Sequence, residues 1–343
     1  MASDVLSRPA PPPDLVLSYG PGPEHIADVR LPPRPAGARP AGARPPVALP
    51  APLVVFLHGG FWRVAFDRTH TGPLATALAA AGFAVCVPEF RRTGQRGGGW
   101  PGTFDDVAAA VDALPALVRD AAGADRVSDE PAVLAGHSAG GHLALWAAAR
   151  HRLPPDSGWR APGPRFRGVV ALAAVSDLSA CYALGLGQGA ANALLGGGPR
   201  QHPEHYRLTD PMLLLPLDRP VRLVHGSADD RVPASMSRDY LDRARAAGDD
   251  AALDELPGAG HFEVIDPLAS WWPRVQTAFA ELAPPGPGGR DITHAAGVTS
   301  RRTAAIVSTR AAATASQAVC AGRPRVGRRS VRRGGVQRHA KLS

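Results

Sequence analysis

Between residues 53 and 283 short unbroken apolar runs alternate with longer Ala- and Leu-rich segments of helical period. Leu53–Leu57, Phe83–Val87, Ala132–Ala135, Val169–Val175, Val221–Val224 and Ala252–Leu256 predict strands, and 71–81, 103–120, 139–151 and 234–247 predict helices. Strands that are apolar throughout, separated by helices, are what a sheet buried on both faces requires, and such sheets are parallel. The fold class is therefore α/β, a mostly parallel sheet with helices on both faces. Ile26–Leu31 alternates as an edge strand does. The stretch 177–215 breaks the rhythm with Gly185, Gly187, Gly189 and Gly196 to Gly198, and reads as a small lid insertion.

The ends differ from this body. Residues 1–14, with Pro11-Pro12-Pro13, are expected to be disordered, and 32–50 form a Pro/Gly-rich insertion containing PAGAR twice. PPGPGG at 284–289 closes the catalytic domain, which spans 15–283. The remainder, 284–343, is rich in Thr, Ala and Arg without a sustained period, which predicts a disordered tail.

Charge follows the same division. The net charge of +8 comes from the tail, where twelve Lys+Arg face the single acid Asp291, while residues 1–283 hold 26 basic against 29 acidic. A basic tail without interleaved aromatics is a weak nucleic-acid signal, and the body gives none. Three scattered cysteines, Cys86, Cys181 and Cys320, make neither a disulfide framework nor a zinc site. No signal-peptide core and no run of 18 apolar residues occurs, so a cytoplasmic protein without a membrane span is expected. The sequence leaves the oligomeric state open.

Gly136-His137-Ser138-Ala139-Gly140 stands between a predicted strand and a predicted helix. A sharp strand-to-helix turn strains the backbone at its centre, and glycine at both flanks avoids clashes with strand and helix. Ser138 is thus the candidate nucleophile, and a serine hydroxyl needs a base and fixed oxyanion donors. His58-Gly59-Gly60-Phe61-Trp62 ends the first apolar strand, where backbone N–H groups of Gly60 or Phe61 can point at an oxyanion. The Ala139 N–H, at the start of a helix, supplies the second donor. His58 is assigned a structural role in this loop. Trp62 and His137 are candidate substrate-binding residues, with Phe61, Leu184 and Leu186 as further apolar lining.

The acid and base are sought after later strands. His225-Gly226-Ser227-Ala228-Asp229-Asp230-Arg231-Val232-Pro233 places two carboxylates at a strand's carboxyl end. Either one can orient a histidine. Gly258-Ala259-Gly260-His261-Phe262 follows the last strand and presents His261 as the base.

With the order Ser138, Asp229, His261 the chain resembles α/β-hydrolase fold serine hydrolases over roughly residues 15–283. Within them it is similar to the esterase and arylformamidase (kynurenine formamidase) branch. HGGFW at 58–62, GHSAGGHLA at 136–144, HGSADDRVP at 225–233 and GAGHFEVIDP at 258–267 carry that likeness. The family pattern H-G-x-x-D-x-x-V-P implies Asp229 rather than Asp230 as the triad acid, and the GHF segment implies His261 as its base. The resemblance implies cleavage of a small-molecule ester, formamide or amide through an acyl-enzyme, with no metal or organic cofactor. An S9-like peptidase acting on short peptides is the alternative within enzymes, and a non-catalytic hydrolase-fold binding protein is the alternative of another class. The first would need a paired-Glu signature on a lid helix, which the sequence lacks, and the second a lost triad residue.

Overall fold

The computed structural model describes residues 4–34, 50–163 and 165–282. Its strands are β1 (Leu15–Ser18), β2 (Ile26–Arg30), β3 (Leu53–Leu57), β4 (Ala84–Pro88), β5 (Val133–His137), β6 (Gly168–Leu172), β7 (Val221–Gly226) and β8 (Ala251–Leu256). Its helices are α1 (Gly72–Ala80), α2 (Gly102–Ala122), α3 (Ala139–Ala148), α4 (Leu178–Ala183), α5 (Leu186–Leu195), α6 (Pro203–Thr209), α7 (Ala234–Ala246) and α8 (Trp272–Leu282). The strands form one sheet in the order β1-β2-β4-β3-β5-β6-β7-β8. Only the β1–β2 and β2–β4 pairs are antiparallel. Every pairing from β4 through β3 to β8 is parallel.

Burial explains the unbroken apolar runs. Every residue of β3, β4, β5 and β6 is buried, and successive side chains feed opposite layers, as the period of two along a strand demands. Along β3, Leu53, Val55 and Leu57 join one core with Phe104, Val111 and Leu114 of α2, Trp146 of α3 and Tyr240 of α7. Val54 and Phe56 join the other with Leu74 and Leu78 of α1 and Val275 and Phe279 of α8. Truncating any of these fully buried side chains to Ala leaves a cavity and costs about 2–5 kcal/mol.

Four expectations change. Ile26–Leu31 is no edge strand: β1, whose Leu15 and Leu17 pack inward while Val16 is exposed, pairs outside β2 and is the edge. The run predicted as Val169–Val175 ends at Leu172, because Ala173 takes φ 44° and turns the chain out of the sheet. Residues 4–14, expected to lack structure, pack onto the fold. Val5 is 1% exposed in the second core, Arg8 pairs with Asp4 and Asp266, and the Pro11 carbonyl accepts from Arg30. Lastly α8, which the reading of periods omits, covers the second core. Of the segments expected to lack structure, residues 1–3, 35–49 and 283–343 lie outside the described residues. Residues 177–215 fold as α4, α5 and α6 between β6 and β7.

Candidate active site

Ser138 follows β5 and precedes α3 with φ 56° and ψ −120°, a strained geometry for a residue with a side chain. Two glycines make the turn fit. A Cβ on Gly136 would stand 2.2 Å from the Gly140 carbonyl oxygen, and one on Gly140 would stand 2.0 Å from that of Leu57. The turn is tied down by the Ser138 N–H, which donates to the Leu172 carbonyl at 2.9 Å. All ten residues of α3 are buried, and its N-terminus, with Ala139 as first residue, brings a partial positive charge beside Ser138.

The loop after β3 crosses this turn. A Cβ on Gly59 would meet Ser138 Cβ at 3.2 Å, so the bare backbone of this loop lies against the serine. Gly60, Phe61 and Trp62 have φ of 109°, 50° and 55°. Among the described residues the N–H groups of Gly60 and Phe61 have no backbone acceptor. Beneath the loop His58 is bonded through Nδ1 to the Gly59 carbonyl and through Nε2 to Glu89 Oε1, each at 2.9 Å, which gives it a structural part. Burial favours a neutral Glu89. The hydrogen bond and charge of His58, the Arg68 N–H and the charge of Arg92 nevertheless hold its carboxyl below the usual range.

Asp229 and His261 meet directly, with His261 Nδ1 donating to Asp229 Oδ2 at 2.6 Å. The backbone N–H groups of Arg231 and Val232 donate to Oδ1 at 2.8 and 2.9 Å, and His225 Nε2 donates to Oδ2 at 3.1 Å. Burial opposes ionisation, yet the hydrogen bonds of His225 and His261 and the charge of His261 hold Asp229 well below the usual carboxylate range. Asp230 is left outside, with 76% of its side chain exposed beside Arg231. Gly226 lets the two loops close on each other, since a Cβ there would stand 2.2 Å from the Ala259 carbonyl oxygen.

His261 reaches the nucleophile turn through His137, whose ring lies 4.6 Å from its own and whose Nε2 donates to the His261 carbonyl at 2.9 Å. Burial, with the charge of His261, pushes His137 far below the ordinary histidine range and keeps it neutral. His137, expected to bind substrate, is 2% exposed, as is Ser138 itself, and its ring joins the serine turn to the base. Trp62, also expected to bind substrate, is held in packing. It is 1% exposed, and its indole N–H donates to His142 Nδ1 at 3.2 Å. His142 in turn donates from Nε2 to the Thr209 carbonyl, so Trp62 braces the loop against α3 and α6 and presents no open face. Phe61 is half-buried where a Cβ on Gly187 would meet its ring at 2.6 Å, which sets α5 against the loop. Leu184, by contrast, is 60% exposed.

Glu89, His142, His225 and Ser237 went unassigned from sequence. His225 carried a signal, since it opens the HGSADDRVP segment four residues before Asp229. Glu89 had none, lying alone after β4.

Known proteins resemble this chain. Esterase LipC of Mycobacterium tuberculosis (strain ATCC 25618 / H37Rv) is 28% identical over 228 residues, covering 63% of this chain and 54% of that protein. The chain thus spans about half the length of this curated relative. A truncated carbohydrate esterase from gut microbiota superposes with a TM-score of 0.60 at 19% identity, covering 78% of this chain and 98% of the other. Esterase B from Lactobacillus rhamnosis (HN001) does so with 0.59 at 19% identity, covering 80% and 85%. These two show a shared fold. Residues 44–243, more than half of the 343, match the BD-FAE family, and the chain belongs to that α/β-hydrolase esterase family.

Proposed function

We propose that the protein is a serine hydrolase that cleaves a small-molecule carboxylic ester through an acyl-enzyme, with Ser138 as nucleophile, His261 as base and Asp229 as the acid that orients it. The observation that carries this reading is the 2.6 Å bond from His261 Nδ1 to Asp229 Oδ2 beside a serine held at φ 56°. Donation from Nδ1 leaves Nε2 as the basic nitrogen of the neutral ring. His261 Nε2 takes the Ser138 hydroxyl proton as Oγ attacks the carbonyl, and Asp229 stabilises the imidazolium. The tetrahedral oxyanion receives the N–H of Ala139 and that of Gly60 or Phe61. The imidazolium gives its proton to the leaving alcohol, and a water activated by His261 then frees the acid. The scheme calls for no metal or organic cofactor.

The family and LipC support ester cleavage. Formamide cleavage rests on the four sequence segments that resemble arylformamidases, and Phe61 against α5 offers an aryl or acyl group an apolar wall. Initial rates on p-nitrophenyl butyrate and on N-formylkynurenine, with Ser138→Ala as blank, test both. Ester turnover alone makes the protein a carboxylesterase, and a higher kcat/KM on the formamide makes it an arylformamidase. Equal rates for wild type and Ser138→Ala on both compounds contradict the serine mechanism.

A further inference from the structure

The carboxylate of Asp229 serves two imidazoles on one oxygen. Oδ2 accepts from His261 Nδ1 at 2.6 Å and from His225 Nε2 at 3.1 Å. His225 lies on β7, and its side chain and that of Asp229 are both 0% exposed, so this ring has no route to substrate. The second partner of its Nε2 is the Val232 carbonyl at 2.9 Å. An ionised carboxylate and a carbonyl only accept, so Nε2 carries a proton whether the ring is neutral or charged. On the far side Nδ1 meets the hydroxyl of Ser237 at 2.7 Å, and Ser237 is fully buried in the first turn of α7. When the ring is neutral that hydroxyl donates to Nδ1 and fixes the Nε2–H tautomer.

We propose that His225 is a positioning residue for the triad acid: with Ser237 fixing its tautomer, it holds Asp229 in the rotamer that receives His261 and takes a share of the charge on Oδ2. The inference rests on the catalytic reading only in calling Asp229 the triad acid. Four donors then saturate the carboxylate: two ring N–H groups on Oδ2 and two backbone N–H groups on Oδ1. Losing the His225 donor concentrates charge on His261, so the His261 imidazolium gains stability and its pKa rises. That sign is the same whether His225 is neutral or cationic, because removing either a donor or a positive charge makes Asp229 a stronger partner. The His137 ring from β5 also lies against His261, with centroids 4.6 Å apart, and Glu263 stands on the same loop beside Gly260. Across the sheet from His225 lies Glu255 of β8, whose carboxylate is paired with Arg238.

The test is an NMR titration of the His261 ring in the wild type, His225→Phe, His225→Gln and Ser237→Ala, each checked for folding by circular dichroism. His225→Phe is expected to raise the His261 pKa by about half a unit or more. His225→Gln, which keeps an N–H near the Nε2 position, should restore most of the wild-type value, and Ser237→Ala should shift it the same way by less. On an ester substrate His225→Phe should lower kcat about 10- to 100-fold with KM unchanged, because the group touches the acid and not the substrate. If His225→Phe does not fold, Ser237→Ala decides the matter alone. A His261 pKa unmoved in the folded variants, or moved equally by Gln and Phe, would overturn the proposal. The titration needs no turnover, so inactivity on every ester would count against the hydrolase reading and leave this one still decided by the His261 pKa.

Discussion

Ser138 and Gly187 share the same backbone angle, φ 56°, and little else. At Ser138 the left-handed turn is forced on a residue with a side chain, boxed between Gly136, Gly140 and the β3 backbone at approaches near 2 Å for any added Cβ. Around Gly187 the left-handed residues Gly185, Gln188 and Gly189 sit beside exposed Leu184, and a Cβ on Gly185 or Gly189 would meet nothing within 4 Å. One turn is strained and locked by packing, and the other, with glycine at three of its four left-handed positions, is bordered by solvent. On the proposed mechanism the chemistry falls in the close-packed half, and the segment around Gly187 is the candidate border for substrate.

Breaking the locked side should give the largest effects. Ser138→Ala is expected to lower kcat about 10⁴- to 10⁶-fold on p-nitrophenyl butyrate, with the fold retained by circular dichroism. Asp229→Asn should cost about 10⁴-fold by holding His261 in the wrong tautomer. Asp230→Asn, at an exposed carboxylate, should stay within about twofold, and a reversed ranking would place the triad acid on Asp230. Gly140→Ala drives a Cβ into the Leu57 carbonyl at 2.0 Å, so a stability loss above about 3 kcal/mol by urea unfolding is expected.

Acid should attack the same half. Burial pushes His142 and His70 down to about 4, against about 6.5 in the unfolded chain. Both are folded as neutral rings, so the stability tied to them is complete above about pH 6.5 and is lost as pH falls toward 4. For the fully buried His142 this amounts to about 3 kcal/mol, an order-of-magnitude figure. Tm measured between pH 7 and pH 4 should fall, and His142→Gln should flatten the slope.

The open side should respond least. Gly187→Ala adds a Cβ 2.6 Å from the Phe61 ring at a φ of 56°. A several-fold change in acyl-chain preference by kcat/KM on C2 to C8 esters is therefore expected, together with a stability loss of about 1 kcal/mol, smaller than that of Gly140→Ala. A loss as large as that of Asp229→Asn would erase the contrast between the two halves.

The legible parts of the sequence were those where one local rule decides. The parallel strands read as unbroken apolar runs because both faces of β3 to β6 are covered, and Ser138 read from its glycines because the turn tolerates no Cβ at 136 or 140. Leu15–Ser18 was missed because an edge strand of four residues, half exposed, carries too short an alternation to register. The α8 pattern of Trp272, Val275, Phe279 and Leu282 has helical spacing, but Pro273 at its start and the nearby PPGPGG blur it. The packing of Trp62 and His137 was not legible, for a different reason. Both flank site backbone in sequence, and only the fold shows that their side chains point into packing with His142 and His261.

The most direct test of Ser138 as nucleophile is intact mass and peptide mapping after treatment with a p-nitrophenyl alkylphosphonate. One phosphonyl adduct on the peptide containing Ser138, absent from Ser138→Ala and slowed about 10³-fold or more in Asp229→Asn, is the predicted result. An adduct on another residue, or labelling of Ser138→Ala at the wild-type rate, would contradict the account.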